Sequence, residues 1–326
     1  MWCSASAATA VSIGGAVWMI ACVQFGLLPT SAAFPRVVIS LAGLVLFPVL
    51  DELVSRNRAG WTPCPAMRLM AGMLMTCGLL LPAGMWSTVL VGPWVGILVV
   101  VAIRAIVDAR AALRRESTAD CCAARWARVA GLVFPGVGGL WLVQATLGLR
   151  PLGFSDAVVI LTAMHFHFAG AVLPIVFGAA AGRRPGRLPD AACFGVITGI
   201  PLVAAGITAT QLRGPAWIEG AAAVWMAAAG IAAAAVMAVS SASPARPVAT
   251  GLRLVSSASL GTGMLFAAAY GLRVPLGLEG LTVPVMQASH GVLMAVGFAT
   301  CGVLGEWLAV SHAERTSDSS TRAKAA

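Results

Sequence analysis

Charge is scarce in this chain: Asp, Glu, Lys and Arg make up 10% of its 326 residues, where soluble domains carry about 25%. That shortage excludes a globular surface kept in water by its own charges. Cysteine pairing is missing too. None of Cys3, Cys22, Cys64, Cys77, Cys121, Cys122, Cys193 and Cys301 forms a CxxC pair. Most lie in or beside apolar stretches, where the thiol behaves as a small hydrophobe, and only Cys121-Cys122 falls in a polar loop. A disulfide framework is therefore not expected. No Lys or Arg precedes the first apolar run, so Met1 to Arg36 reads as a first membrane helix and not as a signal peptide, despite the small residues Ser31-Ala32-Ala33. No basic stripe carries interleaved aromatics, so the net charge of +9 does not indicate nucleic acid. Phosphate loops, nucleophile triads and paired carboxylates do not stand out either. An enzyme is not expected, and no cofactor is clearly implied.

What the chain does have is apolar length. Hydrophobic residues make up 59% of it and the mean hydropathy is +0.91. About 20 residues are needed per crossing of a ~30 Å hydrocarbon core. The apolar runs fall near 8–28, 36–54, 66–84, 87–107, 127–148, 155–181, 190–211, 216–241, 250–271 and 285–309. The expected fold is an all-α, polytopic transmembrane bundle of about ten helices occupying residues 1–310, followed by a disordered cytoplasmic tail, 311–326. The second and fourth runs, with charged ends, and the Ala-rich eighth are the weakest of the ten. Pro48, Pro93, Pro135, Pro174 and Pro201 lie inside runs, which membrane helices tolerate when neighbours satisfy the freed carbonyls. Gly92–Gly96 and Gly195–Gly199 have the spacing that lets two helix backbones approach closely.

Basic residues set the orientation. With ten spans, 17 of the 21 Lys and Arg fall on one side; only Arg36, Arg150, Arg213 and Arg273 fall on the other. The positive-inside rule then places both termini in the cytoplasm, with the chain in a cell membrane and the lipid bilayer as its principal partner. The loop from Asp108 to Arg128 is the longest polar connection and reads as a basic, topogenic segment. Ten spans split as five plus five, the arithmetic of inverted-repeat transporters. The internal echo is thin: Gly78-Leu79-Leu80-Leu81-Pro82 against Gly170-Ala171-Val172-Leu173-Pro174. Nothing here sets an oligomeric state.

The unusual segment is Thr162-Ala163-Met164-His165-Phe166-His167-Phe168-Ala169-Gly170. Ionisable groups at membrane depth are functional candidates by default, and imidazoles suit Zn, Cu or Fe. Helical geometry separates His165 and His167 by about 200°, so one ion would hold both only if the helix opened locally. Pro174 removes the hydrogen bond to Gly170 and would loosen that turn. The blander reading has the two histidines bridging to separate helices, with Thr162 accepting the ring proton of His165. A third histidine, His290, sits near the start of the tenth run in Gln287-Ala288-Ser289-His290-Gly291. His165, His167 and His290, with Thr162 and Gln287, are the candidates for a substrate or proton path in the outer half. Gln24, Gln144, Asp156, Gln211 and Glu219 lie toward the same side. No catalytic residue is assigned, and a metal, if any, would use the three histidines. Met294 and Cys301 follow His290 on one face, but eleven residues rise ~16 Å along a helix, too far for one ion. Glu306 and Asp51-Glu52 stand at helix ends, where solvation or an Arg partner is the ordinary explanation.

His165-Phe166-His167-Phe168-Ala169-Gly170, followed by Leu173-Pro174, together with His290-Gly291-Val292-Leu293 and Gly297-Phe298, resembles the paired segments of the YndJ-like family of bacterial membrane proteins. The resemblance spans most of the hydrophobic chain and implies membrane location more than any activity, although the family is sometimes labelled a transporter. Phe168 stands where that family usually has Tyr, and Met294 where it tends to have Asn. Both departures remove polar groups from a hydrogen-bonded relay. The first segment also resembles part of the haem–copper oxidases, whose other ligand histidines are missing here. The leading reading is a small-solute or ion transporter. A haem- or copper-binding redox protein and a non-catalytic membrane scaffold or stress protein are the alternatives.

Overall fold

The computed structural model describes residues 7–25, 32–55, 63–114, 122–241 and 246–310. The expected tail 311–326, the middle of the 108–128 loop and Cys121 lie outside them. Ten apolar helices run through the described residues, with no strand among them. They are α1 (Ala7–Phe25), α2 (Phe34–Ser55), α3 (Pro65–Leu80), α4 (Met85–Arg114), α5 (Cys122–Leu147), α6 (Asp156–Arg183), α7 (Arg187–Gln211), α8 (Ala216–Ser240), α9 (Pro247–Gly271) and α10 (Val283–Val310). Nine are long and apolar enough to cross a membrane, and α3, of 16 residues, is the short one. The protein is a polytopic transmembrane helical bundle.

Helix starts follow local chemistry. Proline, whose missing N–H costs nothing in a first turn, opens α2, α3 and α9. Ser155 accepts from Val158 N at 3.4 Å at the start of α6, and Asp156 adds first-turn negative charge, which the helix dipole favours. The bundle's two ends are tied separately. Arg183 reaches Glu306, and Trp307 donates to Glu52 at 3.1 Å, at the end that carries most of the arginines. At the opposite end Gly84 N donates to Thr146 O at 2.7 Å, and Arg273 to Glu219 at 2.7 Å. Trp86 and Trp217 stand exposed at that end, as interfacial anchors do.

Run two, with its charged end, forms the bundle's central helix: 83% of the apolar window of α2 is buried, against 22% for α1. Run four becomes the longest helix at 30 residues. The Ala-rich α8 is sandwiched between α7 and α9 by small residues. A Cβ on Gly195 would fall 2.6 Å from Ala229 Cβ, and one on Gly271 2.2 Å from Ala223 Cβ. The Gly195–Gly199 spacing therefore does bring helices together. Gly92 and Gly96 do not: nothing lies within 4 Å of a Cβ on either, so that stripe faces outward. The echo between 78–82 and 170–174 falls on the end of α3 and the middle of α6, which are not equivalent places in a five-plus-five repeat.

Three helices contain π-helical turns: α2 at Ala42–Leu46, α6 at Phe168–Val172, and α10 at Gln287–Gly291 and Leu293–Thr300. In α2 and α6 the cause is a proline just beyond. Pro48 and Pro174 cannot donate to the carbonyl four residues back. The preceding residues instead bond five back, Phe47 N to Ala42 O and Leu173 N to Phe168 O. The loosened turn expected from Pro174 is thus a π turn immediately after His167.

Candidate functional site

The two histidines of α6 face different partners. His167 is fully buried, and its Nδ1–H donates to Ala163 O at 2.7 Å while Nε2 accepts from Trp94 Nε1–H at 3.1 Å. A carbonyl can only accept and an indole N–H can only donate, so these partners define a neutral imidazole with both nitrogens satisfied. Phe47 closes the third side, its ring centroid 5.9 Å from that of His167. Gly138 makes room, since a Cβ there would lie 2.9 Å from His167 Nδ1.

This cluster continues to an ion pair. The Arg68 guanidinium sits 5.6 Å from the Trp94 ring centroid and 5.9 Å from that of Phe47, within cation–π range. It pairs through Nε and Nη2 with Asp51. Arg68 is 1% exposed, and its Nη1 is buried without a partner among the described residues. Beside it lies a cavity of about 10 Å³, lined by Phe47, Leu50, Asp51, Arg68 and Leu98 among others, room for one water molecule. His167 thus belongs to a packed chain from α2 through α3 and α4 to α6. Its partners were missed from the sequence, where Trp94 is one apolar residue among many and Arg68 one of many arginines near a helix start.

Removing the Trp94 donor should therefore cost stability. Trp94→Phe keeps an aromatic ring against Phe47 but strands His167 Nε2, and we expect a loss of about 1–3 kcal/mol, read as a lower unfolding midpoint of the detergent-purified protein.

His165 points to the other side of α6 and stacks near-parallel on His290 of α10, the ring centroids 6.4 Å apart and the planes 18° from parallel. Its Nδ1–H donates to Leu161 O at 2.7 Å, and that of His290 donates to Gly263 O of α9 at 2.8 Å. Both Nε2 atoms are thereby left as acceptors, and among the described residues no protein donor meets either. The Thr162 hydroxyl donates to Val158 O at 2.8 Å, so the expected Thr162–His165 bond is replaced by the backbone bond to Leu161. Gln287 opens the π turn that carries His290 and is buried. Phe34 of α2 packs on Gly291, where a Cβ would fall 2.8 Å from Cε1. Met294 packs its sulfur over Gly263 and so fills space between α9 and α10.

The wider set of polar groups does not line one cavity. Asp156 is held by Arg150 through two 2.7 Å bonds, Gln211 donates to Gly153 O at 3.1 Å, and Glu219 pairs with Arg273. These are ties between helix ends and loops. A joint site of all three histidines is not assembled, because Trp94 occupies His167 Nε2. Among the described residues no group of three or more His, Cys, Asp and Glu side chains converges as metal ligands would. The pair His165–His290 is what the fold brings together.

These features define a multi-pass helical membrane protein with one open histidine pair between two π-distorted helices. Residues 37–298 match the sequence model of the YndJ-like proteins, and the chain belongs to that family. The match begins early in α2 and takes in both histidine segments. No curated protein and no solved structure matches the chain.

Proposed function

We propose that this protein handles a small solute or ion across a bacterial cell membrane, with His165 and His290 as its contact site. The observation that carries this reading is the pair of unmet Nε2 acceptors on facing rings. In hydrocarbon an unmatched polar group costs several kcal/mol, so such a pair calls for a ligand or a wetted path. His165 lies nine residues into α6, ~13 Å at 1.5 Å per residue, which puts the pair well below the helix end. Two acceptors of this kind suit a cation or solute that brings its own N–H or O–H donors, including a proton on water. The π turns beside both histidines support the reading, since such turns recur at functional sites. The arginine bias of the opposite end supports a cytoplasmic placement for that end and an outward placement for the pair.

Deletion of the gene and complementation test it. His165→Ala with His290→Ala, expressed at the parent level in the membrane, should lose the solute-accumulation or resistance phenotype that the parent chain restores. Full complementation by the double variant would end the proposal.

A further inference from the structure

A second polar cluster lies at the arginine-rich end of the bundle and is independent of the histidine pair. Glu306 of α10 accepts from Arg183 of α6 through Nη1 and Nη2 at 2.7 and 2.8 Å, and from Arg253 Nη2 of α9 at 2.8 Å. Arg246, at the head of α9, donates through Nη1 to Ala309 O. Both Arg183 and Arg246 stand close enough to repel the charge of Arg253. Two guanidiniums therefore share one carboxylate while a third is tied beside them by a helix-end carbonyl, so positive charge exceeds negative in this cluster among the described residues. A donor is also unused: Arg253 is 8% exposed and its Nε is buried with no acceptor among the described residues.

This is more than a topogenic charge. An arginine that only marks the cytoplasmic side extends into water, whereas here two guanidiniums converge on one carboxylate between three helix ends and a third is held beside them by Ala309 O. Convergent guanidinium donors with surplus positive charge match the oxygens of a phosphate group, which arginine binds through paired N–H donors. The position at the helix ends is the depth of lipid headgroups, where basic pockets between transmembrane helices hold anionic lipids. We infer that Arg183, Arg246 and Arg253 form a site for the phosphate of an anionic phospholipid, wedged between the ends of α6, α9 and α10, with Glu306 as the strut that aligns Arg183 and Arg253 and the Ala309 carbonyl holding Arg246.

The test uses the full chain, purified in detergent and stripped of lipid, with native mass spectrometry counting retained molecules. Phosphatidylglycerol should be retained over phosphatidylcholine. Arg246→Gln should weaken phosphatidylglycerol about fivefold, the share of one basic residue facing an anionic headgroup, while Arg150→Gln at the opposite end should not. Equal retention of the two lipids, or equal losses in the two variants, would overturn the site. Displacement of phosphatidylglycerol by inorganic phosphate at matching concentration would overturn the lipid assignment in favour of a free anion. If Arg246→Gln does not fold, the comparison of the two lipids on the parent chain still decides.

Discussion

Arg68→Ala is expected to lower the unfolding free energy by about 3–5 kcal/mol, because it strands Asp51 in the bundle without its counter-charge. The cost should exceed that of any single histidine replacement. Arg68 is 1% exposed and Asp51 is 15% exposed, so water can do little to replace the missing partner. Two further contacts go with it, the cation–π placements over Trp94 and Phe47. The double variant Arg68→Met with Asp51→Asn separates the causes. It removes both charges while keeping much of the bulk, and such replacements of a buried pair are often close to neutral. Thermal or denaturant unfolding in detergent should therefore rank the double variant nearer the parent than Arg68→Ala. The reverse order would mean that the pair is not a buried, mutually dependent unit.

The second large effect comes from two adjacent glycines of α1. A Cβ on Gly14 would sit 1.9 Å from Leu44 O in the π turn of α2, while one on Gly15 meets nothing within 4 Å. Gly14→Ala must push α1 away from α2, and overpacking of this kind costs about 1–3 kcal/mol. Gly15→Ala should instead stay within about 1 kcal/mol of the parent, in the stabilising direction, because alanine is the better helix former. The unfolding midpoints of the two variants check this, since composition and hydropathy change identically in both. Equal midpoints would place α1 off the α2 surface.

Much of the architecture could be read from apolar length, because lipid imposes a single requirement on every span and the sequence meets it repeatedly. Which helix sits centrally was harder to read. The charged end of run two made it look weak, yet Asp51 is matched by Arg68 and Glu52 by Trp307, so polarity at that end marks burial. The opposite faces of His165 and His167 follow from 100° per residue, and the structure places one on Trp94 and the other on His290. Neither partner was readable, since single-sequence reasoning carries no pairing information between distant helices. Gly92–Gly96 shows the same limit: the spacing permits close approach, but only the packing decides whether a neighbour arrives. The cluster at Glu306 was hidden for a related reason. Each of its arginines looked like part of the charge bias until the fold drew two of them onto one carboxylate and a third beside them.

His165 and His290 are proposed to share an open, outward-reached site, while His167 is locked inside the bundle. Single cysteines placed at 165, 167 and 290 in a chain otherwise free of cysteine, treated in intact cells with a membrane-impermeant thiol reagent, test it directly. Positions 165 and 290 should label from outside and 167 should not. Labelling at 167 equal to that at 165, or labelling of 165 and 290 only after the membrane is opened, would contradict it.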